Sequence, residues 1–133
     1  MRTAFIGAEA MASGLLTRHR LRTDHSPLFP GVYLPNSVAP TLDVRILAAW
    51  LWSRRDAVIA GVAASAVHGA KWVDDCVPIE IISANTHPPR GLITRNESLR
   101  QDEVVQLRGI AVTSIARTGF DLGRRGPQGA AVA

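Results

Sequence analysis

The chain is poor in cysteine, lysine and aromatic residues, and it contains no long apolar run. Its one cysteine, Cys76, excludes an internal disulfide and fits a reducing compartment. Of its fifteen basic residues only Lys71 is a lysine, and Gly69 stands two positions before it. That removes the acidic-x-Lys pattern with which restriction-type nucleases hold a metal and activate water. The most apolar stretch, "AVIAGVAASAVHGA" (57–70), is too short and too rich in Gly, Ala and Ser to span a bilayer. The opening "MRTAFIGAEAMASG" has Glu9 where a secretory signal needs unbroken apolar residues. These absences lead to the expectation of a cytoplasmic protein with no membrane partner.

What is present suits a folded domain of 133 residues, 47% hydrophobic and 20% charged, with a formal net charge of +4. The positive balance favours an anionic partner, because arginines that meet phosphates release counterions. Its densest expression is "LLTRHRLRTDHSPLFPGVYLP" (15–35). Gly14 can take the positive φ that ends one helix, and Thr17 is a good N-cap for the next. Ala8, Met11, Ala12 and Leu21 would supply apolar contacts, with Leu15 and Leu16 filling the turn. Beyond Asp24, Leu28-Phe29, a Pro30-Gly31 turn and Val32-Tyr33-Leu34 read as a β-hairpin. Helix, turn, helix and hairpin in that order form a winged-helix-like module.

In such a module Arg18, His19 and Arg22 share the exposed side of the second helix, Arg20 flanks them, and Thr17 lies at its start. Phosphate contacts there would set position, and arginines reaching base edges would set preference. A solvated basic helix face has the same charge signature. The short helix before it and the hairpin after it shift the reading towards DNA.

"PNSVAP" (35–40) reads as a linker. "TLDVRILAAWLWSRRD" (41–56) then places Leu42, Ile46, Leu47, Trp50 and Leu51 on one helical stripe, with Asp43 in the first turn and Arg54-Arg55 in the last. A second helix at about 61–68 ends at His68-Gly69. Three β segments follow, "VPIEIIS" (77–83), "GLITRNES" (91–98) and "EVVQLRGIAVTS" (103–114), the last folded back at Arg108-Gly109. A helix capped by Thr113 or Ser114 runs to about Gly123, with Ile115, Thr118 or Gly119, and Leu122 inward and Arg117 paired to Asp121. The closing "GPQGAAVA" reads as the start of a further helix, so the chain is expected to be cut short. The fold class is α+β, with the short N-terminal module followed by a small mixed α/β domain.

No enzyme is expected, and no cofactor. "AASAV" around Ser65 lacks the glycines of a nucleophile elbow. Asp74, Asp75, Cys76 and His87 match no zinc spacing and read as a polar turn. His68 reads as a cap at a helix C-terminus, Trp50 as core, and Trp52 and Trp72 as packing or interface residues.

The segments "AMASGLLTRHRLR" (10–22), "GVYLP" (31–35), "AASAVHGAKW" (63–72) and "GIAVTSIARTGFDL" (109–122) together resemble the AbiEi-type antitoxins and transcriptional regulators of bacterial type IV toxin–antitoxin and phage-defence systems. The likeness runs over most of the chain, and the last segment is the most specific. It implies a winged-helix DNA-binding module over 1–36 and an AbiEi-like α/β domain over 37–133. Two departures stand out: the module lacks a full first helix, and the Vsr-like endonuclease domain of many such proteins does not follow. By position, the DNA contacts fall on Thr17, Arg18, His19, Arg20 and Arg22. Implied partners are DNA and a nucleotidyltransferase-type toxin, with a homo-oligomer left open. The alternatives are the non-catalytic part of a DNA-cleaving protein, and a protein-interaction module that binds no DNA.

Overall fold

The computed structural model describes residues 4–85 and 87–125, and the fold is α+β. The closing segment 126–133, expected to begin a further helix, lies outside the described residues. No helix among those described is long and apolar enough to cross a membrane.

The chain begins with β1 (Phe5–Ile6), α1 (Gly7–Ala12) and α2 (Arg18–Asp24), then enters a hairpin of β2 (His25–Phe29) and β3 (Val32–Pro35). These strands form a three-stranded antiparallel sheet in the order β1-β3-β2, with Phe5 opposite Tyr33 and Ile6 opposite Val32. Strand β2 is an edge, which lets Pro27 sit in it without costing a ladder hydrogen bond, and the register shifts between Pro27 and Phe29. The hairpin expected between residues 28 and 34 is present and longer at its open end. Its tip is anchored, not projecting: Gly31 O accepts from Gly7 N at 3.0 Å, and Phe29 and Val32 are buried.

Next come α3 (Leu42–Trp52), β4 (Val58–Ala60), α4 (Gly61–Val67), β5 (Ile79–Ile82), β6 (Leu92–Arg95), β7 (Val104–Leu107), β8 (Ile110–Thr113) and α5 (Ile115–Arg125). The strands build a five-stranded mixed sheet, β6-β5-β4-β8-β7. Its local pairing is the β7–β8 hairpin; β4 joins β5 antiparallel and β8 in parallel. The expected stripe of α3 buries Leu42, Ile46 and Leu51, with Leu47 and Trp50 half-buried against the core. The helix stops before Arg54-Arg55, which take left-handed φ of 63° and 65° just past its end.

One hydrophobic cluster joins Ala4, Ile6, Phe29 and Val32 of the first sheet to Leu42 and Ile46 of α3 and to Ile59, Ile79, Ile81 and Val112 of the second. Helix α3 is the shared wall. Residues 35–40, expected as a linker, begin with the last residue of β3 and are tied down there, where Asn36 bonds Thr23, Asp24 and Ser26.

Helix α5 differs most from expectation. Thr118 is buried as anticipated and Leu122 half-buried, but Gly119 is exposed and Ile115 is 72% exposed. The inward residues are instead Arg117, Thr118 and Asp121, because their partners are carboxylates and a hydroxyl, not an apolar face.

Candidate nucleic-acid interface

A seven-residue helix such as α2 is unstable alone, so its ends and its one buried residue must hold it. At the N-terminus the Thr17 hydroxyl accepts from Arg20 N at 3.1 Å, the capping role expected of it. Before it, α1 closes through Gly14 at φ +80°, with Gly14 N donating to Met11 O and Leu15 N to Ala10 O. At the C-terminus two carbonyls that would otherwise lack partners, those of Thr23 and Asp24, are met from outside the helix, and Arg20 O takes a further bond. His25 Nδ1–H donates to Arg20 O, Asn36 Nδ2 to Thr23 O, and Asn36 N to Asp24 O.

Leu21 seats the helix against Phe5 and Ala10 in a second small cluster, with Met11, Leu16 and Tyr33 around it. The close approach depends on Gly7, where a Cβ would lie 2.7 Å from the Tyr33 ring and 3.1 Å from Leu21. Of the apolar contacts expected here, Leu21, Met11 and Leu16 contribute, whereas Ala8, Ala12 and Leu15 are exposed. Sequence reasoning missed Phe5 and Ala10.

The five residues expected at a DNA surface are all exposed and all on or next to this helix. Arg18, His19 and Arg22 have no hydrogen bond or ion pair through their side chains among the described residues. Arg20 differs, because its Nε donates to Asp24 Oδ2 at 3.1 Å. The Thr23 hydroxyl and the Arg20 guanidinium hold the Asp24 carboxyl below its ordinary range. Sequence reasoning named neither Asp24 nor the end-closing pair His25 and Asn36. The acidic residue four places after Arg20 was the available signal. The hairpin beside α2 carries no arginine or lysine.

An open groove of about 490 Å³ lies behind the helix pair, lined by Phe5, Ile6, Glu9, Ala10, Ser13, Leu15, Leu16 and His25. Glu9 at its edge is held by a bidentate pair from Arg55, at 2.7 and 2.8 Å, which ties α1 to the end of α3.

The other arginine cluster is internal. Arg117 Nε meets both Asp121 oxygens at 3.0 and 3.1 Å, and its terminal nitrogens reach Glu97 at 2.6 Å and Glu103 at 3.3 Å. Arg124 bridges Asp121 and Glu97, and Arg125 closes on Glu97. Burial pushes the Glu97 carboxyl up, but hydrogen bonds and charge from Arg125 and Arg124 outweigh it and hold the group below its ordinary range. Three arginines and three carboxylates neutralise one another, so the cluster offers no free charge to a ligand. The Arg117–Asp121 pair was legible in the sequence; Glu97 and Glu103 were not.

Most of the remaining singled-out residues have structural contacts. His68 Nε2–H donates to Thr113 O at 2.8 Å, linking the end of α4 to β8. Asp75 Oδ1 accepts from Leu42 N at the start of α3, Asp74 Oδ1 accepts from Cys76 N, and Arg45 donates to the carbonyls of Asp75 and Val77. Among the described residues no group of His, Cys, Asp and Glu is arranged to hold a metal ion. Trp52 packs on the core, whereas Trp72 is 98% exposed. Compared with family models, with curated proteins and with solved structures, the chain has no match.

Proposed function

We propose that this chain is a DNA-binding transcriptional regulator of the antitoxin kind, similar to the AbiEi-type proteins it resembles, with no chemistry of its own. The supporting observation is the state of α2. Its basic side chains are exposed, three of the four carry no partner among the described residues, and the helix under them is fixed at both ends. A reading helix must be held in place to make its contacts repeatedly, and α2 is so held.

The test is a salt titration of binding to the duplex upstream of the protein's own coding sequence. Replacing Arg18, Arg20 and Arg22 together by Ala should lower the slope of log K against log salt by about 2. An unchanged slope removes α2 from the interface.

The second reading, a protein-interaction module, draws on another observation. Ile115 and Phe120 are 72% and 61% exposed on the outer face of α5. A partner covering this face would take both side chains out of water. A nucleotidyltransferase-type toxin is the partner that the resemblance suggests. Co-purification with such a toxin, lost in Phe120→Asp, together with no DNA affinity at low salt, would favour this reading.

A further inference from the structure

Successive residues of an α-helix are rotated by about 100°. Arg18 and Arg22 therefore lie within about 40° of one another, with His19 about 60° beyond Arg22. Arg20 lies about 160° from both arginines, and Asp24 stands beside it one turn on. The buried Leu21 separates the two flanks on the protein side. One flank thus carries two arginines and a histidine without counterions among the described residues. The other carries one arginine and one carboxylate joined at 3.1 Å.

We propose that α2 meets duplex DNA on one flank only. Arg18, His19 and Arg22 touch the duplex, whereas Arg20 and Asp24 form a neutral flank turned away from it. This rests on the DNA-binding reading above and divides its residues into two roles. Arg18 and Arg22 stand to one side of the helix and Arg20 to the other, and of the three only Arg20 is already met by a carboxylate among the described residues. The Arg20 guanidinium is met by Asp24 at 3.1 Å, and only the backbone of this residue helps to hold the helix, its amide at the Thr17 cap and its carbonyl to His25.

The experiment compares full-length wild-type protein with Arg18→Ala, Arg22→Ala, Arg20→Ala, Arg20→Gln and Asp24→Asn. Fluorescence anisotropy on the labelled upstream duplex is measured over a range of salt, and circular dichroism melts check each fold. Arg18→Ala and Arg22→Ala should each lower the salt slope by about 0.9. Arg20→Gln and Asp24→Asn should leave it where it is, as should Arg20→Ala if its melt is normal. If either Arg20 variant lowers the slope as much as Arg22→Ala does, or Asp24→Asn steepens it by a full counterion, the one-sided arrangement is wrong. If the wild type does not bind at low salt, or Arg18→Ala and Arg22→Ala leave the slope unchanged, the DNA reading itself fails.

Discussion

Two ion pairs in this molecule are the same on paper. Arg20–Asp24 in α2 and Arg117–Asp121 in α5 both join an arginine to an aspartate four residues later, with Nε to Oδ distances of 3.1 and 3.0 Å. The side chains are 67% and 50% exposed in the first and 8% and 0% in the second. In α2 the neighbouring basic residues have no counterion among the described residues, while in α5 every arginine is met by a carboxylate, two of them supplied by Glu97 and Glu103 from outside the helix. Arginine density therefore says little about role. What separates a surface offered to a partner from an internal lock is whether the rest of the chain brings carboxylates to it.

The largest expected effect breaks the α5 side. Arg117→Ala leaves Asp121 and Glu103 with fewer cations in a buried setting, and should cost about 3–5 kcal/mol of stability in urea unfolding. The corresponding loss from Arg18→Ala or Arg22→Ala should be undetectable in the same assay, because neither side chain is packed. An equally stable Arg117→Ala protein would mean that the cluster does not lock α5.

The comparison also separates what was legible in the sequence from what was not. Thr17 as a cap, Gly14 in a positive-φ turn, the stripe on α3 and the Arg117–Asp121 spacing are local signals, and each is realised. Strands β1 and β4 went unseen because they are two and three residues long and are defined by partners far along the chain, Val32–Tyr33 and Val112. Ile115 was read as inward because apolar spacing assumes an apolar interior. The side of α5 that faces inward is polar, and its partners are 14 and 20 residues away in sequence. For the candidate interface, the helix and its exposed residues could be read, but the pairing of Arg20 and the closure by Asn36 could not.

The α2 side is broken by its seat, not by its charges. Leu21 is 4% exposed between Phe5 and Ala10. Leu21→Ala should cost about 2–3 kcal/mol in the same unfolding assay. It should also weaken DNA binding without removing a cation, since the helix loses its only buried anchor. Retention of full stability would show that the end closures hold α2 without Leu21.

Acid sharpens the contrast with a smaller effect. Burial raises the Glu97 carboxyl, but Arg125 and Arg124 outweigh it and lower it. In Glu103 the Arg100 amide and then Arg117 lower the carboxyl against burial. A carboxylate lowered in the folded state adds stability that is complete above its unfolded value and is lost as pH falls through the folded one. The melting temperature should therefore hold from about pH 7 to about pH 5 and fall below about pH 4.3. In Glu97→Gln the neutral-pH melting temperature should be lower and the acid drop shallower. An acid drop of unchanged size in that variant would place the linkage on other carboxylates.

The smallest expected effect is the most discriminating, because residue types, spacing and orientation are shared by the two pairs. Double-mutant cycles on Arg20→Gln with Asp24→Asn, and on Arg117→Gln with Asp121→Asn, isolate each coupling from the loss of either side chain alone. Solvent screens the α2 pair, and holding two long exposed side chains costs entropy, so its coupling should lie within measurement error. The α5 pair has little water to screen it, and breaking it leaves a buried cluster with unequal numbers of cations and carboxylates, so its coupling should be clearly resolved. Equal couplings would mean that burial does not set the two pairs apart. The distinction between an offered surface and an internal lock would then have to rest on Glu97 and Glu103 alone.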